Sequence, residues 1–441
     1  MMVRKFKYLE RVTLLYNMEN VKNFCQFINE NPNSFCVVET LKKLFKEHNY
    51  EELLLEEKWN LEKGKSYFTI KNDLSIVAFT IGKDLKEIPS IKIIASHNDS
   101  PAFKIKPNGM ISSNLYSKFN TEPYGGAIMS TWFDRPLGIS GRVMIKENDE
   151  TITSKTVKLN TTVVIPNVAV HMDRNIGANP SYNPQIDLLP IVSLSNMTMD
   201  EFFEKEGLKN VIAHDLFLFA KDQATICGAN NELLCAPRLD DLECVYSSVQ
   251  ALLNANDDLG INICAVFNNE EVGSYNSADS TFLLDIIEEI ANTFNINKRA
   301  MLAKSLLVSA DNAHAVHPNH PEKTDQTNNV LLNKGIVIKY QAGQRYTTEG
   351  IGASIFKSVC DQNNIPTQNY TNRSDIRGGG TLGAILTTTV SVNALDIGLP
   401  QLAMHSAFET AGVEDLEYMI QAMKHIYNTP LNKENNQYKI K

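Results

Sequence analysis

The run Ile261-Asn262-Ile263-Cys264-Ala265-Val266-Phe267 is apolar at almost every position, the composition of a strand buried on both faces. Such a strand needs helices on both sides of its sheet, so the run steers the chain toward an α/β arrangement. It ends on Asn269-Glu270-Glu271-Val272-Gly273-Ser274. Adjacent side chains on an extended strand end point in opposite directions, so one carboxylate can bind a metal while its neighbour faces a water on that metal. Taken singly the pair carries little, because Glu-Glu dipeptides are common on solvated surfaces.

Four further segments supply metal-binding residue types at the ends of apolar runs. Ile91 to Ser96 leads into His97-Asn98-Asp99-Ser100-Pro101, where His97 and Asp99 are two apart and share a face of a strand. A carboxylate that close can set an imidazole's tautomer. Ala236-Pro237-Arg238-Leu239-Asp240-Asp241-Leu242 precedes a helix expected over 244–254, and Asp240 has two oxygens with which to bridge two cations. Ser305 to Ala310 runs into Asp311-Asn312-Ala313-His314-Ala315-Val316-His317-Pro318, and Leu402-Ala403-Met404-His405-Ser406 follows the run Val390 to Leu395.

A lone His or Asp at a strand end is ordinarily a hydrogen-bonded loop residue or a helix cap. Here the coincidence recurs, and α/β folds bind ligands beyond the carboxyl ends of their parallel strands, where these residues would gather. Two His, two Asp and one Glu make a nitrogen and oxygen set suited to a pair of divalent ions, zinc first and manganese or cobalt next.

At 441 residues the chain exceeds one typical core, so two domains are expected. A net charge of −9, with no single-sign run of Lys or Arg, argues against a nucleic-acid partner. Seven cysteines without Cys-x-x-Cys spacing fit reduced thiols in the cytoplasm better than a disulfide framework. After Met1-Met2-Val3-Arg4-Lys5-Phe6-Lys7 there is no signal-peptide run, and nowhere does a run approach the roughly 20 apolar residues of a membrane span. The expectation is a cytoplasmic protein with no membrane association.

Helical spacing over 21–28 and 37–45, the second capped by Ser34, precedes strand-like runs at 67–70 and 75–81. From Ala102 to Leu233 short β-like runs dominate, including 157–165 and 211–220, before alternation resumes through a helix over 414–427. The economical division is an α/β catalytic domain from 1–101 and 234–441, interrupted by a smaller β-rich domain at 102–233. The polar tail 432–441 is expected to be loosely ordered.

His97-Asn98-Asp99-Ser100-Pro101, Arg238-Leu239-Asp240, Asn269 to Ser274, Asp311 to Asn319 and Met404-His405-Ser406, in this order, resemble the M18 family of metallo-aminopeptidases, of aspartyl aminopeptidase and aminopeptidase I type. The resemblance implies a mixed-sheet α/β di-metal catalytic domain with an inserted β-rich oligomerisation domain, which covers the neighbouring active site. It implies that His97 and Asp311 hold one metal, Glu271 and His405 the other, and that Asp240 bridges both. Glu270 is then the general base, Asp99 orients His97, and the substrates are peptides losing their first residue. The alternatives are an M42- or M20-type aminopeptidase or deacylase with neutral-residue preference, or a catalytically silent oligomeric metal-binding scaffold.

Other residues read differently with and without the resemblance. His314, His317 and His320 recur every third position, but Pro318 and Pro321 argue for a loop rather than an aligned cluster; the resemblance makes His314 a substrate contact and leaves His317 structural. Gly378 to Gly383 lacks the Gly-Lys-Ser/Thr ending of a phosphate loop and reads as a tight turn near the site. His171 by itself reads as a satisfied strand histidine, whereas the resemblance sends it into a partner subunit's active site within a tetrahedral dodecamer built from dimers. Lys339 by itself is a charge at a strand edge. The resemblance puts it with Tyr346 in the substrate pocket, where its ammonium would favour an Asp or Glu side chain.

Overall fold

The computed structural model describes residues 18–114, 116–273 and 278–440, so Met1 to Lys7, Ser274 and Lys441 lie outside the described residues. Its main sheet has nine strands in the order Glu51–Leu53, Ser66–Lys71, Ser75–Ile81, Ile261–Phe267, Ile91–His97, Leu306–Ala310, Asn393–Gly398, Ile336–Tyr340 and Thr367–Thr371. The four central strands, Ile261–Phe267 to Asn393–Gly398, are mutually parallel, while Ser75–Ile81 and Ile336–Tyr340 flank them antiparallel. The sheet is therefore mixed.

Period-two alternation divides these strands between two cores. Ile94, Cys264, Val266 and Val308 pack toward the helices Ser34–Glu47, Leu239–Leu253, Gly350–Gln362 and Val413–Asn428. Ile93, Ala95, Ile263, Ala265 and Leu307 face the opposite layer, with Phe282–Thr293 and Leu382–Leu386. Burial on both faces explains why these strands are almost continuously apolar.

Residues 102–220 supply every strand of a second, antiparallel sheet, ordered Ile152–Lys158, Leu137–Lys146, Val211–Ala220, Ala102–Ser113, Tyr116–Tyr124 and Ile191–Ser193. It has its own core around Phe103, Phe119, Trp132 and Leu216. A third sheet joins distant parts of the chain: Thr225–Cys227, Leu233–Ala236, Glu409–Gly412, Pro400–Leu402 and Ala313–His314. This small sheet brings the approach to Asp240, the turn carrying His405 and the segment after Asp311 to one place.

Several local expectations are corrected. The helix Ser34–Glu47 is capped by Asn33, whose side chain accepts from Cys36 N at 3.1 Å, while Ser34 Oγ donates to Asn98 O at 3.2 Å. Ser34 is thus drawn away from capping by a tertiary acceptor. The β-like run at 157–165 ends its strand at Lys158 and continues as isolated bridges at Val163 and Val164. The tail forms a hairpin, Leu431–Glu434 with Gln437–Ile440, rather than a loose end. Lys339 lies on Ile336–Tyr340, which has neighbours on both sides and is no edge. No described helix is long and apolar enough to cross a membrane, and all seven cysteines are free thiols.

Candidate active site

The five candidate ligands arrive from the ends of separate elements. His97 closes Ile91–His97, Asp311 directly follows Leu306–Ala310, and Glu270 and Glu271 open a 3-10 turn just beyond Ile261–Phe267. Asp240 stands at the start of Leu239–Leu253, and His405 in the turn between two strands of the small sheet. Arg238, Asn269 and His405 have φ of 58, 65 and 69°, a left-handed backbone that a non-glycine residue keeps only when its surroundings hold it there.

Asp240 divides the group in two. Its Oδ1 lies 3.5 Å from His97 Nε2, and its Oδ2 lies 3.4 Å from His405 Nε2. His97 Nε2 is 3.9 Å from Asp311 Oδ1, and His405 Nε2 is 3.4 Å from Glu271 Oε2. Donors about 2 Å from one tetrahedral ion stand about 3.3 Å apart, close to the separations of Asp240 from the two imidazoles, and within each triad the donor atoms all lie within 4.8 Å of one another. Asp240 Oδ1 and Glu271 Oε1 are buried and accept no hydrogen bond. An orphaned carboxylate oxygen is costly unless a cation satisfies it, and the donors, two imidazoles with carboxylates, are of the type zinc takes.

The imidazoles are oriented for this. His97 Nδ1 lies 3.1 Å from the Asp99 carbonyl oxygen, and His405 Nδ1 lies 3.0 Å from Gly126 O. A carbonyl can only accept, so each Nδ1 carries a proton and each Nε2 is the nitrogen turned into the cluster, free to bind an ion once its own proton is lost. In the protein without ions, burial opposes charge on His405, but Asp240 and Glu271 prevail and raise its pKa to about 10. Burial pushes Glu270 up to about 8, with Asp311, Asp99 and Asp240 adding to the shift against the opposing pull of His97. Protons on the imidazoles thus occupy the place of metal charge.

The carboxylate of Asp99 serves more partners than expected. It lies 3.5 Å from His97 Nδ1, and also accepts from Glu270 N and Glu271 N, each at 3.2 Å, and from Tyr124 OH at 2.8 Å. A cavity of about 400 Å³ opens over the cluster, lined among others by Glu270, His314, Lys339, Tyr346 and Gly380. Lys339 is buried, with Nζ 3.0 Å from Asn312 O, 3.3 Å from Asp311 Oδ2 and 5.3 Å from the Tyr346 ring centre. His171 is not at this cavity; it sits exposed in an irregular segment of the second sheet's region, and not on a strand. His317 and His320 are exposed turn residues beyond His314.

Sequence reasoning missed three supports. Asp241, fully buried, accepts from His97 N at 3.2 Å; buried Glu409 accepts from Asp240 N at 3.1 Å and His405 N at 2.7 Å. Tyr124 reaches Asp99 from the second sheet. Only Asp241 had a signal, its adjacency to Asp240; Glu409 and Tyr124 sit in stretches with no metal-binding pattern.

The chain is similar to known proteins over most of its length. The family model of the aminopeptidase I zinc metalloproteases, M18, matches residues 27–427. A "Probable M18 family aminopeptidase 2" of Clostridium novyi is 43% identical over 91% of this chain and 97% of its own length. Aspartyl aminopeptidase 1 of Schizosaccharomyces pombe is 33% identical over 90% of this chain and 92% of its own. Among solved structures, a chain of the Ape4 and Nbr1 complex superposes with a TM-score of 0.88 at 31% identity, covering 93% of this chain and 86% of that one.

If ions displace protons from His97 and His405, metal uptake must release protons into solution. Apparent affinity should fall by about tenfold per pH unit for each competing proton as the pH is lowered from about 8 to 6. Calorimetric titration in buffers of different ionisation enthalpy measures both quantities. Uptake without proton release would contradict the assigned donors.

Proposed function

The chain belongs to the M18 family of zinc metallo-aminopeptidases, and from that premise we propose that it releases single N-terminal residues, preferentially Asp or Glu, from peptides at a centre of two divalent ions. The observation that carries this reading is Asp240, whose two oxygens face two different imidazoles. His97 and Asp311 would hold one ion and Glu271 with His405 the other, zinc being the ion of the family and manganese or cobalt its nearest substitutes. When bound, such ions polarise a scissile carbonyl and acidify the attacking water.

The chain's own residues then divide the labour. Glu270 takes the water's proton on its carboxylate and passes it to the leaving amine, while Asp99 fixes the Glu270 and Glu271 backbone through their N–H groups. His314 opens onto the cavity, where desolvation by the surrounding protein and the Lys339 charge lower its pKa, so it can hydrogen-bond the substrate as a neutral imidazole. Replacing Glu270 by Gln keeps size and hydrogen bonding but removes the base. Turnover of aminoacyl anilides should drop about 10²-fold or more with metal content retained, whereas Glu271→Gln should lose metal. Equal metal loss in both variants would mean that the two carboxylates are assigned wrongly.

The acidic preference is supported by Lys339 and by the aspartyl name of the fission-yeast relative. An ammonium has three donors; Asn312 O and Asp311 Oδ2 engage two, which leaves one for a substrate carboxylate in the cavity. The ring of Tyr346 restrains the lysine beside that position. Asp and Glu anilides should therefore exceed Leu and Lys anilides in kcat/KM, and Lys339→Met should lower the acidic-to-neutral ratio by about tenfold, the effect of one desolvated ion pair. A wild type that favours Leu, or an unchanged ratio in the variant, would refute the pocket.

Self-association is part of the same proposal. The region of the second sheet exposes the large apolar side chains Val168, Val170, Met172, Leu194 and Ile212, which an association surface would cover. We assign this β-rich domain, residues 102–233, to dimer formation, with His171 delivered to the partner's cavity and a dodecamer built from six dimers as the complete assembly. Activity should then fall on dilution to monomers. Sedimentation at assay concentration decides this, and a fully active monomer would overturn it.

A further inference from the structure

The two halves of the candidate metal centre are anchored in different parts of the fold. His97 and Asp311 are tied to the main sheet's surroundings: His97 N donates to Asp241 Oδ2 at 3.2 Å, and Asp311 N donates to Ile397 O at 3.0 Å. Glu271 and His405 instead lie against one segment of the second sheet's region, residues 125–131. Ile128 N donates to His405 O at 2.9 Å, and His405 Nδ1 donates to Gly126 O at 3.0 Å. Ala407 N, two residues on, donates to Thr131 Oγ1 at 2.9 Å. Gly125, with φ of +71°, lies so close to Glu271 that an added Cβ would stand 3.2 Å from the Glu271 Cβ.

The segment is itself firmly rooted. Tyr124 ends the strand Tyr116–Tyr124, pairs with Ala102, and sets its ring edge-on to Phe217 at 5.4 Å. At the other end Trp132 is buried against Phe103 in the second sheet's core. The Tyr124 hydroxyl reaches Asp99, which borders both halves: its carboxylate holds the Glu270 and Glu271 amides and lies 3.5 Å from His97 Nδ1.

We infer that residues 125–131 form a positioning strap through which the inserted sheet sets the affinity of the ion held by Glu271 and His405, leaving the ion held by His97 and Asp311 largely to the main sheet. Gly125 and Thr131 act through other residues and are positioning residues. The strap fixes the Nδ1 proton of His405, the backbone that presents its ring, and the space in which Glu271 turns. Each of these governs how well two donors meet one ion. Any rearrangement of the inserted sheet is thereby transmitted to one metal position and not equally to both.

The inference rests on the two-ion reading, and its test separates the two. Metal-depleted protein is titrated with Co²⁺ by calorimetry, with Glu271→Gln and Asp311→Asn identifying which binding event belongs to which half. Gly125→Ala and Thr131→Val are then compared with wild type. At least one of these variants should weaken the event lost in Glu271→Gln by about 10- to 100-fold, the range for outer-shell partners, while the event lost in Asp311→Asn stays within about twofold. Thr131→Val preserves packing volume, so it remains informative if Gly125→Ala fails to fold. Equal weakening of both events, or no weakening in any variant, overturns the strap. Uptake of a single Co²⁺ by wild type overturns the two-ion reading itself.

Discussion

Three carboxylates, Asp240, Asp311 and Glu271, lie almost out of water around two imidazoles, and that concentration of negative charge is the constraint on which the rest of the structure depends. Carboxylates so close repel one another steeply where the dielectric is low, and they persist only with positive charge among them. Without ions, the protons on the imidazoles supply it: Asp240 is drawn far below the ordinary carboxylate range by His405 and His97, although burial pushes the other way. Such a site is costly to build and is retained for chemistry, because a hydrophobic cluster of the same volume would hold the fold as well or better.

The fold meets that cost with fixed partners. Asp99 and Glu409 each receive two backbone N–H groups from the candidate catalytic residues, so the loops that carry Glu270, Glu271, Asp240 and His405 are held by buried acceptors rather than by loop stiffness. Asn312 connects further groups: its side chain donates to Glu243 and Gln401, and its carbonyl accepts from Lys339. Lys339 stands where a cation both steadies Asp311 and faces the cavity. These contacts join three sheets, and the chemistry sits where the sheets meet.

Much of this was legible in the chain. The continuous apolar runs announced strands buried on both faces, and the residues that end them, His97, Glu271 and Asp311, are the ones brought together, because parallel strands of one sheet place their carboxyl ends side by side. Local reading failed where a distant partner decided the outcome. Ser34 is an ordinary cap in sequence, but its hydroxyl goes to Asn98 O. The polar tail has no pattern of a buried segment, yet it folds back on itself as a hairpin. Lys339 reads as an edge charge until neighbouring strands enclose it.

The sequence by itself determined the strand periodicity, the residue types at the strand ends and their order, and these identify the class of chemistry because few arrangements make use of two His, two Asp and a Glu-Glu pair. Only the tertiary structure decided that Asp240 turns one oxygen to each imidazole, that Glu409 and Tyr124 belong to the site, and that His405 takes its tautomer from Gly126. The reason is physical: periodicity and residue type act over a few neighbouring positions, whereas donor direction and burial depend on atoms that the fold brings together, 25 residues apart for Tyr124 and Asp99 and 279 for His405 and Gly126.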